Sequence, residues 1–254
     1  MTDVQTLDRV VIRFAGDSGD GMQLTGDRFT SDSASLGNDF ATLPNFPAEI
    51  RAPQGTIAGV SSFQLHFAND DIKTPGDKPD VLVAMNPAAL KANLADLKRG
   101  GLIIADTNEF TKRNLAKVGY ATNPLEDGSL VDYQLHAIDL TGLTVASVEQ
   151  FKLGRKDASR AKNMFSLGLL TWLYTRPAEH TLEFLDKKFS GDPDIRDSNK
   201  AAFLAGHAYG ETTETFIVQY EVKPAPMSPG TYRNITGNLA LAGGLVAGGV
   251  QSGL

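Results

Sequence analysis

The sequence predicts an α/β fold on three observations. Residues 9–15 form an apolar run that enters a glycine turn and then a helical pattern. Residues 80–106 read as strand, helix and strand. The third quarter carries three helical stretches separated by Pro and Gly breakers. Alternation of strand and helical patterns is what a sheet covered by helices requires.

The elements follow in order. Residues 9–15 (Arg-Val-Val-Ile-Arg-Phe-Ala) are rich in β-branched and aromatic side chains and predict a buried strand. The turn Gly16-Asp17-Ser18-Gly19-Asp20-Gly21 follows, and Met22, Leu24, Phe29, Ala34 and Leu36 give a helix that Gly37 and Asn38 end. Residues 40–46 and 57–67 are two further strand candidates, with Pro53, Gln54 and Gly55 turning the chain before the second. Residues 80–86 predict a short strand that ends in Asn-Pro, and Pro87 opens a helix over residues 87–97. Gly100 and Gly101 stop it, and residues 102–106 return as a strand. Helices are expected over 158–174, 178–189 and 194–214, with Pro177 and Gly191-Asp192-Pro193 between them. Residues 223–230 hold three prolines and a glycine, which is linker composition. Residues 232–254 then predict one helix of small and apolar residues that cannot bury its own apolar face, and so reads as the first element of a second domain.

Composition narrows the function. The 254 residues are 41 % hydrophobic, enough for a real core. The net charge of −6 argues against gripping nucleic acid, where Lys and Arg must neutralise phosphates. There is no cysteine, so this chain offers no disulfide, no thiolate nucleophile and no thiolate-held zinc or iron–sulfur cluster. The polar start lacks a signal-peptide pattern, and residues 239–250 fall short of the roughly 20 that span a bilayer. A cytoplasmic protein with no membrane partner is expected. His66, His136, His180 and His207 show no metal spacing, so no metal site is expected, and His66 reads as structural.

Three segments are candidates for chemistry, each with a plainer reading beside it. The loop Gly16 to Gly21 is spaced G-x-x-G-x-G, not the G-x-G-x-x-G of dinucleotide folds, which weakens a nicotinamide-binding reading. Bare amides at a helix start hold anions. The plainer reading is a tight turn with Asp20 capping the helix. Residues 47–55 either present Arg51 to an anionic ligand or form a surface turn with an ion pair. Lys152, Arg155, Lys156, Arg160 and Lys162 cluster within eleven residues and lead to a helix start near Ser159. They either hold phosphates or are a solvated helix start, and Asn163 either bonds a ligand or caps. Beside an enzyme, a non-catalytic nucleotide-binding or assembly module stands as the alternative.

The run Phe14-Ala-Gly-Asp-Ser-Gly-Asp-Gly-Met-Gln-Leu-Thr-Gly26 resembles the opening of the gamma domain of 2-oxoacid:ferredoxin oxidoreductases. Glu49-Ile-Arg51 with the strand at 61–66, residues 80–86, 101–106 and 160–168 match that family's pattern in order. Many members carry two glycines after the arginine; here Ala52 and Pro53 follow it. Residues 232–242 resemble the start of its pyrimidine-binding domain. The resemblance implies a three-layer α/β/α sandwich over 1–222, a linker at 223–231 and the start of the second domain at 232–254. The order of the domains is similar to the fused alpha subunit of 2-oxoglutarate:ferredoxin oxidoreductases, which make succinyl-CoA and carbon dioxide and reduce ferredoxin. Pyruvate or another 2-oxoacid is the alternative substrate. The resemblance further implies a coenzyme A site that draws on Gly16, Asp17, Ser18, Gly19, Asp20, Gly21, Arg51, Arg160, Lys162 and Asn163. It implies a beta subunit with thiamine diphosphate, Mg and a [4Fe-4S] cluster, in a dimer of alpha–beta heterodimers.

Overall fold

The computed structural model of this chain describes residues 3–47, 49, 52–233 and 235–253. The chain runs β1 (Asp3–Leu7), β2 (Arg9–Asp17), α1 (Met22–Ser35), β3 (Asp39–Asn45), β4 (Val60–Ala68), β5 (Val81–Ala84) and α2 (Pro87–Asn93). It continues through β6 (Leu102–Asp106), α3 (Lys112–Lys117), β7 (Gln134–Ile138), α4 (Leu140–Ser147), α5 (Arg155–Arg160) and α6 (Lys162–Leu173). The last elements are α7 (Glu179–Lys188), α8 (Pro193–Thr212), β8 (Val218–Val222) and α9 (Gly237–Ser252).

Six strands form one sheet in the order β3-β4-β2-β5-β6-β7. The neighbours β2, β5, β6 and β7 are parallel, while β4 runs antiparallel to both β2 and β3. Successive strand residues point to opposite faces, so each short apolar strand feeds two cores. Val81, Val83, Leu102 and Ile104 join Phe14, Phe29 and Phe67 on the face covered by α1, α4, α6 and α8. Leu82, Ala84, Ile103 and Ala105 join Ala89, Leu90 and Leu115 under α2 and α3. The expected three-layer α/β/α sandwich is therefore present. Asn86 sets the entry to α2: its side chain accepts the Ala89 N–H at 2.8 Å, and Pro87 takes the first helical position, where no N–H is needed.

The structure corrects the sequence reading in several places. The helix expected over 158–174 is two helices, because Ala161 (ψ near 0) breaks the run between a solvent-exposed basic turn, α5, and a fully buried apolar helix, α6. Pro193 is not a breaker but the first residue of α8, whose start is capped by Asp192 accepting the Ile195 N–H at 3.1 Å. Strands β1 and β7 were not expected. β1 pairs in parallel with β8, apart from the main sheet, with Asp3 opposite Val218 and Leu7 opposite Val222. Beyond β8 the chain is pinned to the body where Asn38 Nδ2 donates to the Lys223 carbonyl at 2.7 Å and Ala225 N–H to Gly37 at 2.9 Å. Helix α9 leaves Leu239, Leu241, Leu245, Val246 and Val250 exposed. Among the described residues no helix is long and apolar enough to cross a membrane.

Candidate functional site

Parallel strands end together, and their C-terminal ends with the loops beyond them form the usual ligand crevice of an open α/β sheet. Here β2 ends at Asp17, β5 is followed by Asn86 and β6 ends at Asp106. Gly16 and Asp17 thus belong to the strand, and the turn proper is Ser18 to Gly21. Gly19 (φ 110°) and Gly21 (φ 77°) take left-handed backbone that side chains disfavour. The exposed Ser18 donates its N–H to the Gly59 carbonyl at 3.1 Å, which ties the turn to the segment before β4.

Asp20 does not cap α1, contrary to the plainer sequence reading. The cap position is Gly21, which has no side chain to offer, and the Asp20 carboxylate instead folds back to accept the Asp17 N–H at 2.8 Å. Asn163, one residue into α6, accepts its neighbour Met164 N–H at 2.8 Å. Its amide nitrogen abuts Gly21 so closely that a Cβ there would lie 2.2 Å from it. The glycine turn and the start of α6 are therefore in direct contact.

Between them opens a cleft lined by Asp17, Asp20, Asn86, Glu109, Lys117 and Lys162, with Gln54, Gly55 and Asn114 at its border. Asp17 Oδ2 accepts the Gly55 N–H at 2.8 Å, and the Asn86 side chain stands beside the same carboxylate. Asp106 is fully buried and satisfied by Thr141, whose hydroxyl donates at 2.6 Å. Lys162 is only 7 % exposed, with Glu109 and Asp106 oxygens at 3.5 and 3.6 Å from its Nζ. Burial pushes the carboxyls of Asp17, Asp20 and Asp106 above the usual range, against the pull of Lys162. Burial also works against the Lys162 charge, but Asp20, Asp106 and Glu109 outweigh it and its pKa is raised. The Lys162 ammonium thus pairs loosely with Asp106 and Glu109 in a cleft that also holds Asp17, Asp20 and a second cation, Lys117.

The expected basic cluster is consequently split. Lys162 points into an acidic cleft and is not part of a phosphate-facing run. Lys152, Arg155, Lys156 and Arg160 remain exposed, and Arg160 pairs with Asp157 at 3.2 Å. The helix start near Ser159 does not exist, since Ser159 lies inside the six-residue α5. A second groove, next to the cleft, is lined by Gly19, Leu24, Arg160, Asn163, Phe189 and Asn199, and so gathers part of the predicted set. Arg51 and Ile50, the core of the Glu-x-Arg segment, lie outside the described residues. His66, in β4, has its Nδ1 2.8 Å from the Thr74 carbonyl, away from this cleft's lining. Among the described residues no group of His, Cys, Asp or Glu is arranged to hold a metal ion.

Sequence reasoning missed Asn86, Asp106, Glu109, Asn114 and Lys117. The signal for the first two was available: each stands at or just after the end of a predicted parallel strand, on the edge where ligands bind. Glu109, Asn114 and Lys117 carry no such mark, because they reach the cleft only through the fold of the 3-10 turn after β6 and of α3.

Comparison with known proteins adds three findings. The family described as pyruvate ferredoxin/flavodoxin oxidoreductase matches residues 11–209. The chain is 60 % identical over 252 residues to the 2-oxoglutarate oxidoreductase subunit KorA of Mycobacterium tuberculosis. That match covers 99 % of the chain and 39 % of the relative, so the chain spans about two fifths of its length. Among solved structures it resembles a 2-oxoglutarate:ferredoxin oxidoreductase from Magnetococcus marinus, described with 2-oxoglutarate, coenzyme A and succinyl-CoA bound. There the TM-score is 0.62 at 22 % identity, over 89 % of this chain and 34 % of that one. It also resembles the pyruvate oxidoreductase subunit PORC of Thermotoga maritima, with a TM-score of 0.50 at 18 % identity over 80 % of this chain and 97 % of that one. At such identities the two structures speak to the fold alone.

Proposed function

Since the chain belongs to the pyruvate ferredoxin/flavodoxin oxidoreductase family, we propose that it acts as part of the alpha subunit of a 2-oxoglutarate:ferredoxin oxidoreductase. The reaction is 2-oxoglutarate, coenzyme A and oxidised ferredoxin to succinyl-CoA, carbon dioxide and reduced ferredoxin. The observation that carries this reading is the 60 % identity to a 2-oxoglutarate oxidoreductase subunit along nearly the whole chain.

In this reading residues 1–222 are the coenzyme A-associated domain, 223–231 the linker and 232–254 the start of the pyrimidine-binding domain. Arg160, which lines the groove at Gly19 and Asn163 together with Asp157, receives a coenzyme A phosphate by charge-assisted hydrogen bonds, with the exposed Arg155 and Lys156 of the same short helix adding positive charge. The cleft around Lys162 does not, because a phosphate there would meet Asp17, Asp20, Asp106 and Glu109. With no cysteine, the residues of this chain do not fit an iron–sulfur cluster. That group, like thiamine diphosphate and its Mg, is assigned to the assembly with a beta subunit.

The test is a panel of 2-oxoacids offered to the complete enzyme, with coenzyme A-dependent reduction of ferredoxin or a viologen dye as readout. Preference for 2-oxoglutarate is expected, and the chain by itself should not turn over. A strong preference for pyruvate or an aryl pyruvate overturns the substrate, and turnover by the lone chain overturns the assignment.

A further inference from the structure

At the opposite end of the main sheet, where β2, β5, β6 and β7 begin, lies a second cavity of about 260 Å³. Its apolar wall is Leu7, Val10, Val81 and Leu102 with the rings of Tyr174 and Tyr220. Those rings stand 5.6 Å apart, and Tyr174 is held edge-on against Phe29 and Phe67. Arg9, Lys98 and Arg99 complete the wall, all substantially exposed, and Asp80 is its one acid.

The acceptors of this wall are taken. Asp80 Oδ1 accepts from Lys98 at 2.5 Å and Oδ2 from the Val11 N–H at 2.8 Å. The Gly100 and Gly101 carbonyls accept from the Gln134 side chain and N–H, both at 3.0 Å. The donors are not used up. The Tyr174 hydroxyl, on a residue only 2 % exposed, has no hydrogen-bond partner among the described residues. Burial pushes its pKa up, with Tyr220 and the nearby Asp80 adding to that, so it remains a neutral O–H. Lys98 spends one of three N–H groups on Asp80. Arg9 and Arg99 each spend Nη2 on an acid outside the lining, Asp70 and Asp132. Exposed pairs of that kind are weak and exchange readily.

A ligand that suits such a wall accepts hydrogen bonds, carries negative charge to meet three cations against one acid, and covers apolar surface. A carboxylate meets the first two demands and, with less charge than a phosphate, loses less hydration beside apolar side chains. Asp80 brings the donors together, since its Oδ1 holds Lys98 and its charge acts on the Tyr174 phenol. We propose that the cavity at the strand starts binds a small organic carboxylate with an apolar body, its oxygens accepting from the Tyr174 hydroxyl and the cationic rim and its body lying against Val10, Leu102 and Tyr220. The volume is just under the roughly 300–1,000 Å³ of sites for drug-sized molecules, so the ligand is small. This inference does not depend on the coenzyme A reading.

The experiment titrates the chain with phenylacetate, followed by amide NMR shifts, with phenylacetamide and inorganic phosphate as comparison probes. Phenylacetate should bind with a Kd of about 1 mM, the scale open to a ligand of about ten heavy atoms, and should move the signals of Gly100, Gly101 and Leu102. Phenylacetamide and phosphate should each bind at least about tenfold more weakly. Tyr174→Phe removes only the hydroxyl and keeps the ring against Phe29 and Phe67; it should weaken phenylacetate by at least about tenfold, as loss of a hydrogen bond to a charged group does. Should that variant fail to fold, the surface double variant Arg9→Gln with Arg99→Gln carries the decision, with weakening of about fivefold expected. No binding by about 20 mM, shifts confined to other parts of the chain, or full affinity in the folded variant overturns the site. Equal binding of phenylacetamide overturns the need for charge, and equal binding of phosphate overturns the need for an apolar body; either result overturns the proposed ligand class.

Discussion

The carbonyl oxygen of Phe203 stands where a side chain on Gly168 would begin: an added Cβ would lie 1.9 Å from it. The relation is reciprocal, since a Cβ on Gly206 would lie 1.9 Å from the carbonyl oxygen of Phe165. Helices α6 and α8 therefore cross backbone to backbone. Overpacking costs typically 1–3 kcal/mol, and backbone yields less than a side-chain tip. Gly168→Ala should fall at the upper end or above, about 3 kcal/mol, seen as a lower urea midpoint at unchanged slope. An unchanged midpoint would contradict the crossing.

A second expectation concerns pH. Burial raises the Asp20 carboxyl above its unfolded value of 3.8, with Lys162 pulling the other way. The folded chain thus keeps that proton after the unfolded chain has lost it. Its contribution is full below pH about 3.8 and is lost as pH rises through the folded value. Asp20→Asn retains an oxygen for the Asp17 N–H but does not titrate. Melting temperatures should therefore shift in favour of the variant from pH 4 towards 7, and a constant gap would refute the buried placement.

Arg160 offers a test of the exposed cations. Its side chain is 66 % exposed and already shared with Asp157, so its contribution is that of a screened surface pair, roughly 0.2–1 kcal/mol. In the complete enzyme Arg160→Ala should raise the KM for coenzyme A by about two- to fivefold. The difference should shrink as salt rises. A hundredfold rise would show that Arg160 is desolvated by a partner surface.

Arg176 tests a buried charge. It is 5 % exposed, lies 4.7 Å over the Phe67 ring and donates to Asn38 Oδ1 at 2.6 Å, while Nε and Nη2 find no partner. Burial pushes its pKa down to about 10. An apolar chain of similar length removes those unmet donors and leaves only Asn38 wanting. Arg176→Met should cost no more than about 1 kcal/mol in thermal melts, whereas Arg176→Ala, which opens a cavity, should cost about 2–4 kcal/mol.

The parts of this fold legible in the sequence are those whose local pattern and tertiary role agree. β2 with its glycine turn, and β5, α2 and β6, are apolar runs closed by Gly or Pro and buried where expected. β1 was illegible because it is largely exposed, with only Val4 and Leu7 apolar, and β7 because its five residues of mixed burial, Gln134–Ile138, are too short a run to mark a strand alone. The site divides in the same way. Asp17, Asp20 and Asn163 stood out in the sequence because they adjoin a glycine turn or helix start. Lys162 was found for the wrong reason: sequence proximity to Arg160 suggested a shared role, but the break at Ala161 turns the two in different directions. Burial of a lysine among acids drawn from positions 17, 20, 106 and 109 is a property of the assembled fold, and no local pattern encodes it.

The parallel pair β1–β8 joins segments about 215 positions apart. During synthesis at roughly 5–20 residues per second, Asp3–Leu7 waits about 10–40 seconds for its partner strand to be made. The sheet can assemble in that interval, but this clasp cannot close before it. A nascent or clipped chain that lacks residues 218–222 therefore presents an open strand edge, the template on which foreign strands add. The order of synthesis leaves β1 unpaired until residues 218–222 have been made.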